Sequence, residues 1–174
     1  MQKFKLFATG LLLMLIVLWL VSLFLPSAVT VSQTLLIDAS DSAIAAQVEN
    51  LPNWANWNPA YEGKTITTHT RMSGDTTYGW ITDSSGRNLQ VVLTRPASNV
   101  IEVDFPGSNG PKGSYQFVLI PKDHGQTQLT WNINTELGWY PWRKIVGIFL
   151  DKMTSPIYER AIHYLKMAAE PRAS

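Results

Sequence analysis

Cysteine is absent from this chain, which excludes a disulfide framework, a thiolate metal site and a cysteine nucleophile. Histidine is scarce: His69, His124 and His163 are the only three, and no two of them have the spacing of a metal-binding pair. A surplus of positive charge is missing as well. Of 14 basic residues, Lys3 and Lys5 precede the first apolar segment, leaving 12 against 13 acidic residues along the rest. That balance argues against a nucleic-acid surface, and no basic cluster follows the apolar segment to bind anionic lipid heads. Serine is plentiful but never sits in a Gly-x-Ser-x-Gly elbow. The glycine-rich stretch 107–112 lacks the Walker arrangement and reads as a turn. Internal repeats and low-complexity tracts are also lacking.

What is present first is a long hydrophobic run. From Leu6 to Leu25 there is no charged residue, and at about 1.5 Å per residue the run covers roughly 30 Å, the thickness of a bilayer's hydrocarbon core. Within lipid every backbone polar group must be bonded internally, so the run is expected to be a transmembrane helix, stopped by Pro26. A cleaved signal peptide is the competing reading, since two lysines before an apolar run fit its first two parts. The run exceeds a signal core of about 7–15 residues, and Leu25-Pro26-Ser27-Ala28 makes a poor cleavage site. Lys3 and Lys5 lie before the helix and no further basic residue occurs until Lys64. The expectation is therefore a single-pass protein of a cell (inner) membrane, its N-terminus cytoplasmic and its domain exported to the periplasm or cell exterior. Residues 1–26 form the stub and anchor, and 27–174 one domain.

Beyond Pro26 the pattern alternates. Val29, Val31, Leu35 and Ile37 share one face of a first strand, with Gln33 the exception. Ser40 or Asp41 caps a short helix over 43–49. Pro52 ends it and opens the tryptophan-rich segment from Asn53 to Pro59. Six strand-like runs follow, at about 64–71, 76–83, 87–95, 100–105, 114–121 and 126–136, separated by turn residues. Strands with one wet and one apolar face belong to an antiparallel sheet whose inner side must be covered. The cover is a closing helix over about 142–169. Ile145, Ile148, Phe149, Met153, Ile157, Ala161, Leu165 and Ala168 supply its apolar stripe, and Pro156 is expected to kink or restart it. The layout is α+β, a curved sheet of about seven strands around a long C-terminal helix, with two short helices after strand 1.

Three stretches then carry a resemblance: Trp54-Ala-Asn-Trp57-Asn-Pro59 after the first short helix, Gly125-Gln-Thr127-Gln-Leu-Thr130-Trp131 in the last strand, and Tyr158-Glu-Arg-Ala-Ile-His-Tyr-Leu165-Lys166 in the closing helix. With this order of elements, the chain resembles the START-related, polyketide cyclase/dehydrase-like superfamily over about 29–169. This is the helix-grip fold shared with the birch-pollen-allergen type. The resemblance implies a hydrophobic cavity between sheet and long helix, of the kind in which many members bind lipids, steroids, polyketides or other apolar ligands. Periodicity alone requires only that two apolar faces meet.

Candidate chemistry is thin. Each histidine has a plain surface reading, His163 as a helical neighbour of Glu159. Glu102 and Asp104 share a strand's polar face, where paired carboxylates either perform acid–base work or are simply solvated. Aromatics are the stronger signal, with seven tryptophans in the chain. Trp54 and Trp57 read as packing residues. Tyr78, Trp80, Phe117 and Trp131 on strands, with Ile145, Phe149 and Met153 on the helix, are the expected ligand-binding, cavity-lining residues, though core packing explains large aromatics equally well. Trp139-Tyr140-Pro141-Trp142 fits a membrane interface or the cavity mouth.

No catalytic residue, cofactor or metal is expected. Partners are the membrane, through the segment from Leu6 to Leu25, and an apolar small molecule or lipid. Three functions stay open: a non-catalytic, membrane-anchored binding domain for a hydrophobic ligand; a cyclase, dehydrase or hydrolase using the same cavity, with Tyr78, Thr68 or Thr130 as its polar groups; and an interaction module whose core is filled by its own side chains.

Overall fold

A computed structural model describes residues 2–62, 71–73, 76–82, 86, 88–106 and 112–170. It opens with a helix, α1 (Gln2–Leu23), nearly all of whose side chains are exposed. This helix is long and apolar enough to cross a membrane. Then come β1 (Ala28–Ile37), α2 (Asp41–Glu49) and α3 (Trp54–Trp57), with single turns of tighter helix at Leu51–Asn53 and Pro59–Tyr61. The strands β2 (Arg71–Ser73), β3 (Thr76–Thr82), β4 (Asn88–Ala97), β5 (Val100–Phe105), β6 (Gly113–Pro121) and β7 (Thr127–Glu136) lead to α4 (Pro141–Ala169). The expected strand at 64–71 lies outside the described residues apart from Arg71.

The seven strands form one antiparallel sheet in the order β1-β7-β6-β5-β4-β3-β2. Six are substantial; β2 is a three-residue edge. β1 skips five strands to pair with β7 along its whole length, from Ala28 opposite Glu136 to Ile37 opposite Thr127. Directly opposed residues share a sheet face, so odd-numbered residues build the inner face of every strand from β3 to β7 and of β1. Val31, Ile37, Val91, Leu93, Ile101, Val103, Phe117, Leu119, Leu129, Trp131 and Ile133 are buried there.

Two features close the inner face. Ser40 is the residue that caps α2, its Oγ accepting from Ala43 N at 3.3 Å. The last carbonyls of α2 are bonded by indoles: Trp54 Nε1 donates to Val48 O at 2.7 Å and Trp57 Nε1 to Gln47 O at 3.3 Å. Both tryptophans are wholly buried, which at about 25 cal/mol per Å² is worth at most roughly 4–6 kcal/mol each. Leu51 lies against Gly79 of β3, where a side chain on the strand would collide with Leu51 Cδ1.

The second cover is α4, which runs beside β1. At one pole Leu137 N donates to Ser27 O (2.8 Å), and Lys144 Nζ donates to Ser22 O (3.1 Å) and Leu25 O (3.2 Å) at the end of α1. At the other pole Lys166 Nζ donates to Leu36 O (3.1 Å), and Glu170 Oε1 accepts from Asp38 N (3.0 Å). Pro156 neither ends nor restarts α4, which continues through it as one helix. Its buried residues are Gly147, Ala161, Ile162 and Leu165. The expected stripe shares only Ala161 and Leu165 with these, and Ile148, Phe149, Met153 and Ile157 are exposed. The helix is thus turned so that Gly147 meets the domain in its first half, against Leu137, and Ala161, Ile162 and Leu165 meet it in the second.

Candidate functional site

Strand parity sets the interior. Phe105, Tyr115, Phe117 and Trp131 are odd-numbered residues on three neighbouring strands, and the register places Phe117 opposite both Ile101 and Trp131. The helical segment after β1 lays Trp54, Trp57 and Tyr61 on them, and α4 adds Tyr158. The rings interlock: Phe117 stacks on Trp131 (centroids 5.2 Å, planes 18° apart), and Trp57 meets Trp131 edge to face at 5.8 Å. Tyr115 approaches Phe105 at 4.7 Å and Trp131 at 5.2 Å, and Tyr158 closes on Trp131 at 5.4 Å. Edge-to-face pairs of this kind add about 0.5–1.5 kcal/mol each beyond burial.

A line of polar atoms runs through this apolar block. The phenol of Tyr115 lies within electrostatic reach of those of both Tyr61 and Tyr158. Burial is the first cause that pushes all three phenols above the ordinary tyrosine value; Tyr61 and Tyr158 raise Tyr115 further, whereas Tyr115 partly offsets the rise in each of them. They stay neutral through the physiological range, able to donate or accept hydrogen bonds but not to serve as bases. Two further donors are buried without a protein partner among the described residues: Trp131 Nε1 and Asn58 Nδ2. Asn58 uses its Oδ1 to accept from Ala60 N at 3.1 Å, which fixes the amide's orientation. Gln33, half-buried, faces inward directly opposite Trp131. A buried donor left unpaired costs about 1–3 kcal/mol, so the arrangement favours an acceptor placed at these atoms. Among the described residues no histidine, aspartate or glutamate is buried, and no cluster of them could hold a metal.

The expected cavity residues divide. Phe117 and Trp131 lie at the centre of the interior. Ile145 is half-buried on α4, whereas Phe149 and Met153 are 57% and 66% exposed. Tyr78 and Trp80 are opposite Val92 and Gln90, on the outer face of the sheet. The inner positions of β3 are instead Thr77, Gly79 and Ile81, because Leu51 fills the space over Gly79. Thr130 is also on the outer face, bonded to Thr34 Oγ1 at 3.2 Å, while Thr68 and His69 lie outside the described residues. Tyr61, Tyr115, Tyr158 and Asn58 are inward polar residues that the alternation pattern had not singled out, and Gln33, noted only as an exception, joins them. Gln33 carried the clearest signal, as the one polar residue on an otherwise apolar strand face.

The outer face is a polar ladder. Ser32 Oγ donates to Asn132 Oδ1 (2.6 Å), Asn132 Nδ2 to Gln116 Oε1 (3.2 Å), and Gln116 Nε2 to Glu102 Oε1 (3.0 Å), crossing four strands. A trough of about 470 Å³ opens over it, lined among others by Thr30, Asp104, Ser114 and Asn134. Burial, and secondarily Glu102, push the Asp104 carboxyl up from its ordinary value. The carboxylate pair therefore belongs to this ladder, on the opposite side of the sheet from the tyrosines.

Comparison with known proteins places this architecture. Residues 28–170 match the family model described as polyketide cyclase / dehydrase and lipid transport. A START superfamily protein from Mycobacterium smegmatis superposes with a TM-score of 0.60 at 19% identity, covering 80% of this chain and 96% of that one. The Zhui aromatase/cyclase from Streptomyces sp. R1128 gives 0.61 at 14% identity, covering 83% and 95%. Truncated norcoclaurine synthase from Thalictrum flavum gives 0.56 at 14% identity, covering 83% and 96%. At these identities the likeness is one of fold. A sequence comparison with curated proteins finds no match.

Proposed function

Since the chain belongs to the polyketide cyclase / dehydrase and lipid transport family, we propose that it is a membrane-tethered, non-catalytic binding protein for an apolar small molecule or lipid that carries a hydrogen-bond acceptor. In this reading α1 is a retained anchor, residues 1–26 are stub and span, and 27–174 form the exported binding domain. The lysines at 3 and 5, with none following until Lys64, support that direction. The observation that carries the binding reading is Trp131 Nε1, a wholly buried donor without a protein partner among the described residues, inside an aromatic interior. Apolar walls with a few convergent polar groups are the usual composition of a small-molecule site.

The ligand's place in this reading is under the first half of α4. There Ile145, Leu150 and Thr154 are only half-buried, and Val29, Gln33 and Leu35 of β1 are likewise half-covered. The hydrocarbon part would lie along these residues and the acceptor would reach Trp131 Nε1 or the tyrosine line. Catalysis would need a base in the same space, and the neutral phenols supply none.

The test is native mass spectrometry of the full-length protein released from lipid nanodiscs, with extraction of whatever remains bound. A co-purifying apolar species, much reduced in Trp131→Phe but retained in Trp80→Phe, is expected. A protein that carries no such species and takes up no apolar dye would leave the self-filled core as the better description. Conversion of the bound species on incubation would return the catalytic alternative.

A further inference from the structure

The helix α4 has two apolar faces, and only one is used. Ala161, Ile162 and Leu165 are buried against the domain, with Gly147 against Leu137. Rotated away from them is a second row, Trp142, Val146, Phe149, Met153 and Ile157, spaced three or four residues apart on one side of the helix. All five are exposed, Trp142 at 62% and Met153 at 66%. No charged residue interrupts this row. A continuous apolar strip of such length, about 22 Å at 1.5 Å per residue, is not ordinary surface; patches of this kind mark sites of association.

We propose that this row is an interfacial face that lies in the surface of the same bilayer α1 enters, so that the first half of α4 is embedded at headgroup depth. The proposal rests on the reading of α1 as a membrane span. Three observations favour lipid over any other occupant. Lys144 Nζ bonds the carbonyls of Ser22 and Leu25, which holds the first turns of α4 at the point where the apolar run of α1 ends. At that level Trp139 stacks on Tyr140 (centroids 4.4 Å apart) and Trp142 meets Tyr140 at a tilt (5.0 Å), and both tryptophans are exposed. Amphipathic rings are enriched at the depth where headgroups meet acyl chains. Arg143, over the Tyr140 ring at 5.0 Å, and exposed Lys152 flank the row, where long cationic side chains can lay their stems on apolar surface and keep their charge in water.

The arrangement gives the binding reading a direction of entry. Ile145, Leu150 and Thr154, the half-buried residues under α4, belong to the same turns as the exposed row. A molecule leaving the outer half of the bilayer would meet the loosely covered part of the domain first, without crossing water.

Because the chain has no cysteine, single labels can be placed without background. The full-length protein is reconstituted in phosphatidylcholine–phosphatidylglycerol vesicles with a nitroxide at Phe149→Cys, Met153→Cys, Glu159→Cys or Val17→Cys. Collision with oxygen, which concentrates in lipid, is compared with collision with a water-soluble nickel chelate. Labels at 149 and 153 are expected to favour oxygen as the label at 17 does, and the label at 159 to favour nickel. Thermal unfolding of each labelled protein confirms that these exposed positions tolerate the change. Nickel access at 149 and 153 with an oxygen-favouring 17 would overturn the inference and leave the anchor standing. Nickel access at 17 would remove the anchor reading itself, and the inference with it. Protection of 149 and 153 from both reagents would mean that protein covers the row, and that too would overturn it.

Discussion

Replacing Gly147 by alanine tests how α4 is seated, and its outcome can be worked from opposing terms. In a helix interior alanine is favoured over glycine by about 0.8–1 kcal/mol, so a free helix would gain by the change. A methyl group built on Gly147, however, points into Leu137: it meets Cγ and Cδ2 at 3.4 Å and collides with Cδ1. Leu137 is only 6% exposed and its backbone is held by the bond to Ser27 O, so relief requires turning its side chain out of a covered site. Overpacking of this kind costs about 1–3 kcal/mol, which leaves Gly147→Ala destabilising by roughly 0–2 kcal/mol. A chain of this size shifts by about 2–4 °C per kcal/mol. The informative measurement is a double-mutant cycle, followed by urea unfolding of the full chain in micelles. Leu137→Ala alone should cost about 2–5 kcal/mol through its cavity, and the methyl at 147 should then fill part of that space. The double variant should recover at least about 1 kcal/mol relative to the sum of the single changes. If Gly147→Ala stabilises by the full helix increment and the two changes simply add, α4 does not rest on Leu137 and the position given to its first half is wrong.

Other consequences are open to simpler checks. Asp104→Asn removes a carboxyl held above its ordinary value by burial and by Glu102. Folding favours the protonated form, so this contribution is complete below about pH 3.9 and is lost as pH rises through the higher folded value. The variant should melt above the parent at neutral pH and level with it in acid; an unchanged difference across that range would show the ladder does not couple to Asp104. Tyr61, Tyr115 and Tyr158 resist ionisation in the fold, so stability should fall as pH climbs above about 10. Their phenolate absorbance should then appear together with loss of the near-ultraviolet dichroism, and phenolate signal from all six tyrosines in a still-folded chain would contradict the buried line. Gly79→Ala places a methyl against Leu51 and should destabilise by about 1–3 kcal/mol, with Leu51→Ala partly compensating; a neutral effect would mean the segment after α2 is not pressed on β3.

Much of the architecture was legible because period and punctuation agree with it. Val100–Phe105 alternates so cleanly that its bounds match the observed β5, and Ser40 was one of two caps named for α2. The site was harder, for two physical reasons. In β3 the bulky residues Tyr78 and Trp80 suggest an inward face, but the lid residue Leu51 needs that room, so a glycine is inward and the rings are outward. In α4 the large apolar residues again drew attention, while the packing face is marked by Gly147 and Ala161, small side chains that let the helix sit close. The tyrosine line left no periodic trace, since it joins residues from three elements that only the fold brings together. The likeness of motifs at Trp54, Gly125 and Tyr158 reached the family by a different route from the alternation, which by itself left the core and the pocket indistinguishable.

The pairing of β1 has a mechanical corollary. Four residues separate α1 from Ala28, so any tension arriving through α1 enters the domain at the head of β1. That strand is bonded to β7 over ten consecutive residue pairs. A pull along its axis loads those rungs in shear, all at once, instead of peeling them one after another. The outermost strand, usually the first part of a sheet to fray, is here the part best arranged to bear a load.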